Sequence, residues 1–163
     1  MKILHLIWMG FLLLSCRGEA IEDLQKVDQV LNIYVKNAAG KDLLNTKLAE
    51  SYYSIEFKDM QGEYDREAIS LTKKQDANGV YYYEYIVGAK RILLPNATDA
   101  LKTYKSIIAV QYRLTTTSDT EEQVMEIFYK WTPTLFQLET ITYDGQVIFE
   151  KSTEGVSVIT IEK

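Results

Sequence analysis

Few side chains in this chain suit covalent chemistry. Cys16 is the single cysteine and His5 the single histidine, and both stand in or beside the apolar run Ile3 to Leu14 that follows Lys2. A run of that length fits the apolar core of a leader and is too short to span a bilayer. If residues 1–15 are a cleaved signal peptide, the remaining chain has no histidine and one thiol. It then lacks the parts of a Ser-His-Asp or Cys-His nucleophile, a zinc-finger site or a histidine-based catalytic zinc. Carboxylate, lysine and tyrosine chemistry remain.

Carboxylates are plentiful, yet no spacing singles out two that a fold would hold across a glycosidic bond. Asp59, Glu63 and Asp65 surround Gly62. They miss the ligand spacing of a calcium loop and read as a charged hairpin loop, so no metal site is expected. Glu121-Glu122 reads as a solvated turn. Glycines are scattered singly, with no phosphate-binding fingerprint, and no cofactor is implied. Asn96-Ala97-Thr98 has the form of a glycosylation acceptor and is read only as a loop.

The densest aromatic feature is Tyr81-Tyr82-Tyr83-Glu84-Tyr85. Strand alternation sets Tyr81, Tyr83 and Tyr85 on one face and Tyr82 and Glu84 on the other. Tyr81, Tyr83 and Tyr85 are therefore the candidate binding face, since exposed tyrosines stack on sugar rings or anchor protein contacts. The plainer reading is packing, because tyrosine has high β propensity and pairs across strands.

Leu13-Leu14-Ser15-Cys16 resembles the lipobox of bacterial lipoproteins, in which the thiol takes a diacylglycerol and the bond before it is cut. The resemblance implies lipidation at Cys16, with membrane attachment through that lipid. An ordinary secretory signal with an incidental cysteine is the alternative. Arg17 follows the cysteine where aspartate is the inner-membrane retention signal of enterobacterial lipoproteins, so the resemblance leans toward the outer membrane. Ala39-Gly40-Lys41-Asp42-Leu43-Leu44-Asn45 after the first strand, with the closing Tyr143-Asp144-Gly145-Gln146-Val147 hairpin, is similar to the small uncharacterised lipoproteins of Bacteroidota. This similarity implies an envelope lipoprotein with a β-sandwich fold and no known activity. Read physically, Asp42-Leu43-Leu44 is a turn with two leucines tucked beneath a sheet edge.

The formal charge is −5, and losing Lys2 with the leader makes it one unit more negative, which argues against nucleic acid. Residues 16–26 are polar and acidic and read as a lipidated tether, leaving 27–163 as one domain long enough to bury a core. With one cysteine, no intrachain disulfide is available.

The elements that must position any site read as strands. Leu31, Ile33 and Val35 alternate with polar residues, favouring a strand from about Val27 to Lys36 over a short helix. Tyr53, Ile55 and Phe57 oppose Ser54, Glu56 and Lys58. Asn78-Gly79 marks a hairpin into Val80–Val87, and Asp144-Gly145 marks a second turn. The stretch around Pro95 is a loop, or one helical turn through Ala100 to Tyr104. Ile108–Leu114, Met125–Trp131 and Val156–Ile161 alternate as further strands. About nine strands without sustained helical period predict an all-β fold, an antiparallel β-sandwich of immunoglobulin-like architecture.

The sequence thus supports a non-enzymatic interaction or binding module of the bacterial cell envelope, its partner an unknown protein or glycan. A carboxylate-type glycan hydrolase or glycan-binding accessory protein is the alternative. A purely structural envelope-spacing role is not separable from the first reading by sequence.

Overall fold

The computed structural model describes residues 24–95 and 97–163. The leader, Cys16, the tether as far as residue 23 and Asn96 lie outside the described residues. Where the description begins, the chain is already pinned: Gln25 Nε2 donates to the Thr132 carbonyl at 2.7 Å, and Lys26 N donates to that of Thr134 at 2.9 Å.

Among the described residues there is no helix, and twelve strands form two sheets. The larger, eight-stranded sheet contains β1 (Lys26–Asp28), β3 (Ser54–Asp59), β4 (Glu67–Ile69), β7 (Ile92–Leu93), β8 (Lys102–Arg113), β9 (Glu121–Thr132), β10 (Leu135–Tyr143) and β11 (Gln146–Glu150). Its order runs β1-β10-β9-β8-β3-β4, with β11 also on β10 and β7 also on β8. The smaller sheet, ordered β12-β2-β6-β5, contains β2 (Leu31–Lys36), β5 (Thr72–Gln75), β6 (Tyr81–Tyr85) and β12 (Ser157–Glu162). The larger sheet curls into a half-barrel. Register shifts at Leu138/Thr140 and Ile141/Thr142 on β10 supply bends of the kind that bulges produce.

Alternation decides what the sheets bury. Leu31, Ile33 and Val35 on β2, Ile108 and Val110 on β8, and Met125, Ile127 and Tyr129 on β9 are all fully buried. Ile159 and Ile161 on β12 complete the cluster from the smaller sheet. Phe57 of the larger sheet meets Tyr83 of the smaller edge-on at 5.5 Å, so the two layers share one core.

Both sheets are mixed, which corrects the antiparallel expectation. β1 runs parallel to β10, and β12 runs parallel to β2 over six residue pairs. The predicted strand from Val27 to Lys36 is two strands. Gln29-Val30 carries the chain from the larger sheet to the smaller, leaving Val27 exposed and Asp28 buried. Lys26, placed in the tether by sequence, opens β1. Ser70-Leu71 makes the same crossing between β4 and β5, and residues 151–156 make it between β11 and β12.

Other local expectations change too. Tyr53 is 58 % exposed at a bend before β3, whereas Tyr52 turns inward and packs on Tyr112 at 5.1 Å. Ala100 to Tyr104 forms no helical turn, because β8 begins at Lys102. Glu121-Glu122 opens β9, and Arg66 Nη1 donates to Glu122 Oε2 at 2.9 Å. Leu43 and Leu44 are buried, and Asp42 accepts from the Leu44 and Tyr81 backbone N–H groups, both at 2.9 Å, tying that turn to β6.

Candidate functional site

The tyrosine strand lies on the smaller sheet between β2 and β5. Tyr85 is buried, and Tyr81 and Tyr83 are half-buried against the core. The face carrying Tyr81, Tyr83 and Tyr85 therefore points inward. Lys73 Nζ sits 4.6 Å from the Tyr81 ring centroid, and the Tyr85 hydroxyl accepts from the Ala89 N–H at 3.3 Å. The opposite face carries Tyr82, whose ring lies 5.3 Å from that of Tyr34, and Glu84, paired with Lys74 at 2.6 Å. Asp59, considered above for a metal loop, is buried and accepts from the Gln61 and Lys90 N–H groups at 2.9 and 2.7 Å. Among the described residues no three His, Cys, Asp or Glu gather to hold a metal ion.

The most developed polar site lies where the two sheets part. Between β12 and the β10–β11 hairpin is a cleft of about 330 Å³, lined by Gln123, Tyr143, Asp144, Gln146, Ile148, Thr160, Ile161 and Glu162. The hairpin turns at Asp144-Gly145 with positive φ at both residues, 49° and 77°, the backbone of a tight primed turn. One end of the seam between β11 and β12 is shut. Lys151, just past β11, bonds Ser157 Oγ at 3.1 Å at the start of β12.

A row of three inward side chains on adjacent strands backs the cleft: Gln123 and Tyr143 line it, and Tyr112 lies buried behind them. Tyr112 on β8 and Tyr143 on β10 share a 2.6 Å hydrogen bond between hydroxyls, and Tyr143 donates to Gln123 Oε1 on β9 at 2.8 Å. Tyr112 is thereby the donor to Tyr143. Lys163 adds a further bond to Gln123 Oε1, and because an ammonium only donates, that atom is the amide oxygen. Gln123 itself lines the cleft. Lys163 is itself nearly buried, paired with Glu121 at 2.6 Å, and 4.1 Å above the Tyr112 ring centroid. Burial is the first cause that pushes the Tyr112 and Tyr143 hydroxyls above their ordinary range, and the negative charge of Glu121 adds to it. Both are neutral hydrogen-bonding groups at neutral pH.

The lining brings together an amide, a threonine hydroxyl and two carboxylate acceptors, with Ile148 as exposed apolar surface. The Lys163 amine is engaged by Glu121 rather than left open for attack. A second, more apolar notch of about 220 Å³ lies between β3–β4 and β6, lined by Ile55, Phe57, Ile69, Leu71 and Tyr83, with the Glu56–Lys58 ion pair at its rim.

From spacing alone Tyr112 and Met125 read as strand residues and Tyr143 as the start of the closing hairpin, and nothing in those patterns marks Gln123, Tyr143 or Lys163 as a site. The signal available was the inward position of a polar residue, Gln123, two residues before Met125 on the apolar face of β9. No protein-family model, curated protein or solved structure matches this chain.

Proposed function

We propose that this chain is an envelope-anchored lipoprotein, held in the outer membrane by lipid on Cys16, and that it acts as a non-enzymatic binding module for a protein or glycan. Its two-sheet core is a β-sandwich with immunoglobulin-like layering, and the binding site is the cleft between β12 and the β10–β11 hairpin. The observation that carries this reading is the wall built from Gln123, Tyr143 and Tyr112. Their hydrogen bonds hold Tyr143 and Gln123, two of the side chains that line the cleft, in fixed positions, the preorganisation that a recognition site needs.

The experiment is photo-crosslinking in intact cells of the native organism, with a benzophenone amino acid at Ile148 or Thr160 and, as control, at Lys74 on the far edge. The reading requires one defined protein or glycan adduct from the two cleft positions and none from Lys74. No adduct, or the same adducts from all three, overturns it.

Asp144 and Glu162 both line the cleft, which favours glycan hydrolysis as the second reading. Release of reducing ends from envelope glycans by the protein, and its loss in the D144N/E162Q variant, would establish that reading.

A further inference from the structure

We propose that the seam between β11 and β12 takes up an extended peptide of alternating basic and apolar residues, added as a strand to the free edge of β12. This rests on the reading of the cleft as the binding site and names the partner's chemistry.

Among the described residues each sheet ends here on an unpaired edge: β12 pairs with β2 alone and β11 with β10 alone, so both offer backbone N–H and C=O groups toward the seam. Such an edge templates strand addition unless charge, proline or a cover blocks it. At the far side of the smaller sheet that protection exists: all four residues of β5 are exposed, Lys73 and Lys74 among them. β12 lacks such a guard over most of its length. Its outward side chains are Val158, 52 % exposed, and Thr160, with a single charge, Glu162, at its end, and Val156 just before it is 56 % exposed.

The chemistry of the occupant follows from the lining. Ile148, 38 % exposed, gives apolar contact beside the edge of core Ile161, and among the described residues the charged side chains in the lining are Asp144 and Glu162, both acidic. Lys163 behind them is spent on Glu121 and Gln123. Alternate residues of an added strand face opposite ways, so a segment with apolar side chains toward Ile148 and Ile161 turns the intervening ones toward the acidic rim. The β12 of a second copy would set its own Glu162 beside this acidic rim, which favours a basic peptide over a second copy.

The test is fluorescence anisotropy of the purified protein with three labelled octapeptides: (Lys-Val)4, (Glu-Val)4, and (Lys-Val)4 carrying N-methyl groups on alternate residues. Binding of (Lys-Val)4 is expected, weakened by about tenfold or more when its charge is reversed or its backbone donors are blocked. V158K, which guards the edge as Lys73 and Lys74 guard β5, should abolish binding with the melting temperature retained. D144N/E162Q should weaken (Lys-Val)4 without strengthening (Glu-Val)4. Equal binding of all three peptides overturns strand addition, as does a dimer that V158K converts to monomer, since the occupant is then a second copy. Failure of (Lys-Val)4 while the Ile148 crosslink persists overturns strand addition alone; failure of both overturns the binding module as well.

Discussion

Asp28 Oδ1 and Lys151 Nζ lie 2.9 Å apart with only 7 % and 4 % of their side chains exposed, joining the first described strand to the corner that leads into the last. Lys151 places its other two protons on Ser157 Oγ and the Gly155 carbonyl, and Asp28 Oδ2 accepts from Gly155 N at 3.1 Å and Gln137 Nε2 at 3.2 Å. Every polar atom of the pair is satisfied, so its removal one half at a time is costly. Asp28→Ala leaves an unpaired buried ammonium and should destabilise by ~3–5 kcal/mol in urea unfolding, whereas Asp28→Leu with Lys151→Met should lose much less.

The same pair sets an acid limit. Burial alone would raise the Asp28 carboxyl, but hydrogen bonds from Lys151, Gly155 and Gln137 outweigh it and hold it below the ordinary range. The unfolded chain therefore binds the proton first as pH falls. The stabilisation is complete above the unfolded value of about 3.9 and is lost as pH drops through the lower folded value. Urea midpoints measured across that window should fall for the parent chain and change less for Asp28→Asn.

Gly88 has φ 153°, and a methyl group built on it would meet Ile69 Cγ2 at 2.6 Å. Gly88→Ala should cost ~1–3 kcal/mol through overpacking. Ile69→Ala made alone opens a cavity, yet in the Gly88→Ala background it should restore part of the loss. Additive losses in the double variant would show that backbone strain, and not the contact, carries the cost.

Among the described residues the buried Tyr129 hydroxyl has Tyr85 and Arg91 as polar neighbours but no partner at good hydrogen-bond geometry, while its ring stacks on Phe136 at 5.5 Å and lies 4.7 Å beneath the Arg91 guanidinium. Tyr129→Phe keeps the ring contacts and deletes the unmatched group. Its thermal midpoint should be equal to or above that of the parent chain, by up to about 1 kcal/mol of stability. A loss of that size instead would show that the hydroxyl has a partner, such as a bound water.

Alkaline titration reads the buried tyrosines together. Burial first of all pushes Tyr112, Tyr129 and Tyr143 upward, so they keep their protons past the ordinary value near 10. The folded chain then holds more protons than the unfolded one, and stability falls as pH rises beyond about 10. Phenolate absorbance should rise in two phases, the exposed tyrosines first and these three only on unfolding. A single phase ending before the circular dichroism changes would contradict the network.

Much of the sheet architecture is legible in the chain because burial and period coincide. Leu31, Ile33 and Val35 alternate with half-buried Asn32, Tyr34 and Lys36 as their spacing predicts, and Asp144-Gly145 turns where its φ tolerance allows. Parallel pairing is not legible, since β12 finds β2 from the far end of the sequence and nothing local distinguishes a parallel neighbour from an antiparallel one. The inward face of β6 is equally undecided, because Tyr82 and Glu84 are themselves half-buried beside Tyr34 and Lys74. The cleft is hidden for a third reason. Tyr112, Gln123 and Tyr143 meet only through the register of three strands, and each alone reads as an ordinary strand residue.

The parallel run of β12 beside β2 also has a mechanical meaning. Tension drawn between the side of the chain that precedes β1 and the end of β12 pulls the two strands lengthwise past each other. Their hydrogen bonds, formed over six registered pairs, are then loaded in shear and must yield together, not peel apart in sequence. Force spectroscopy between residues 24 and 163 should record this as one abrupt rupture, and a staircase of small steps would contradict it.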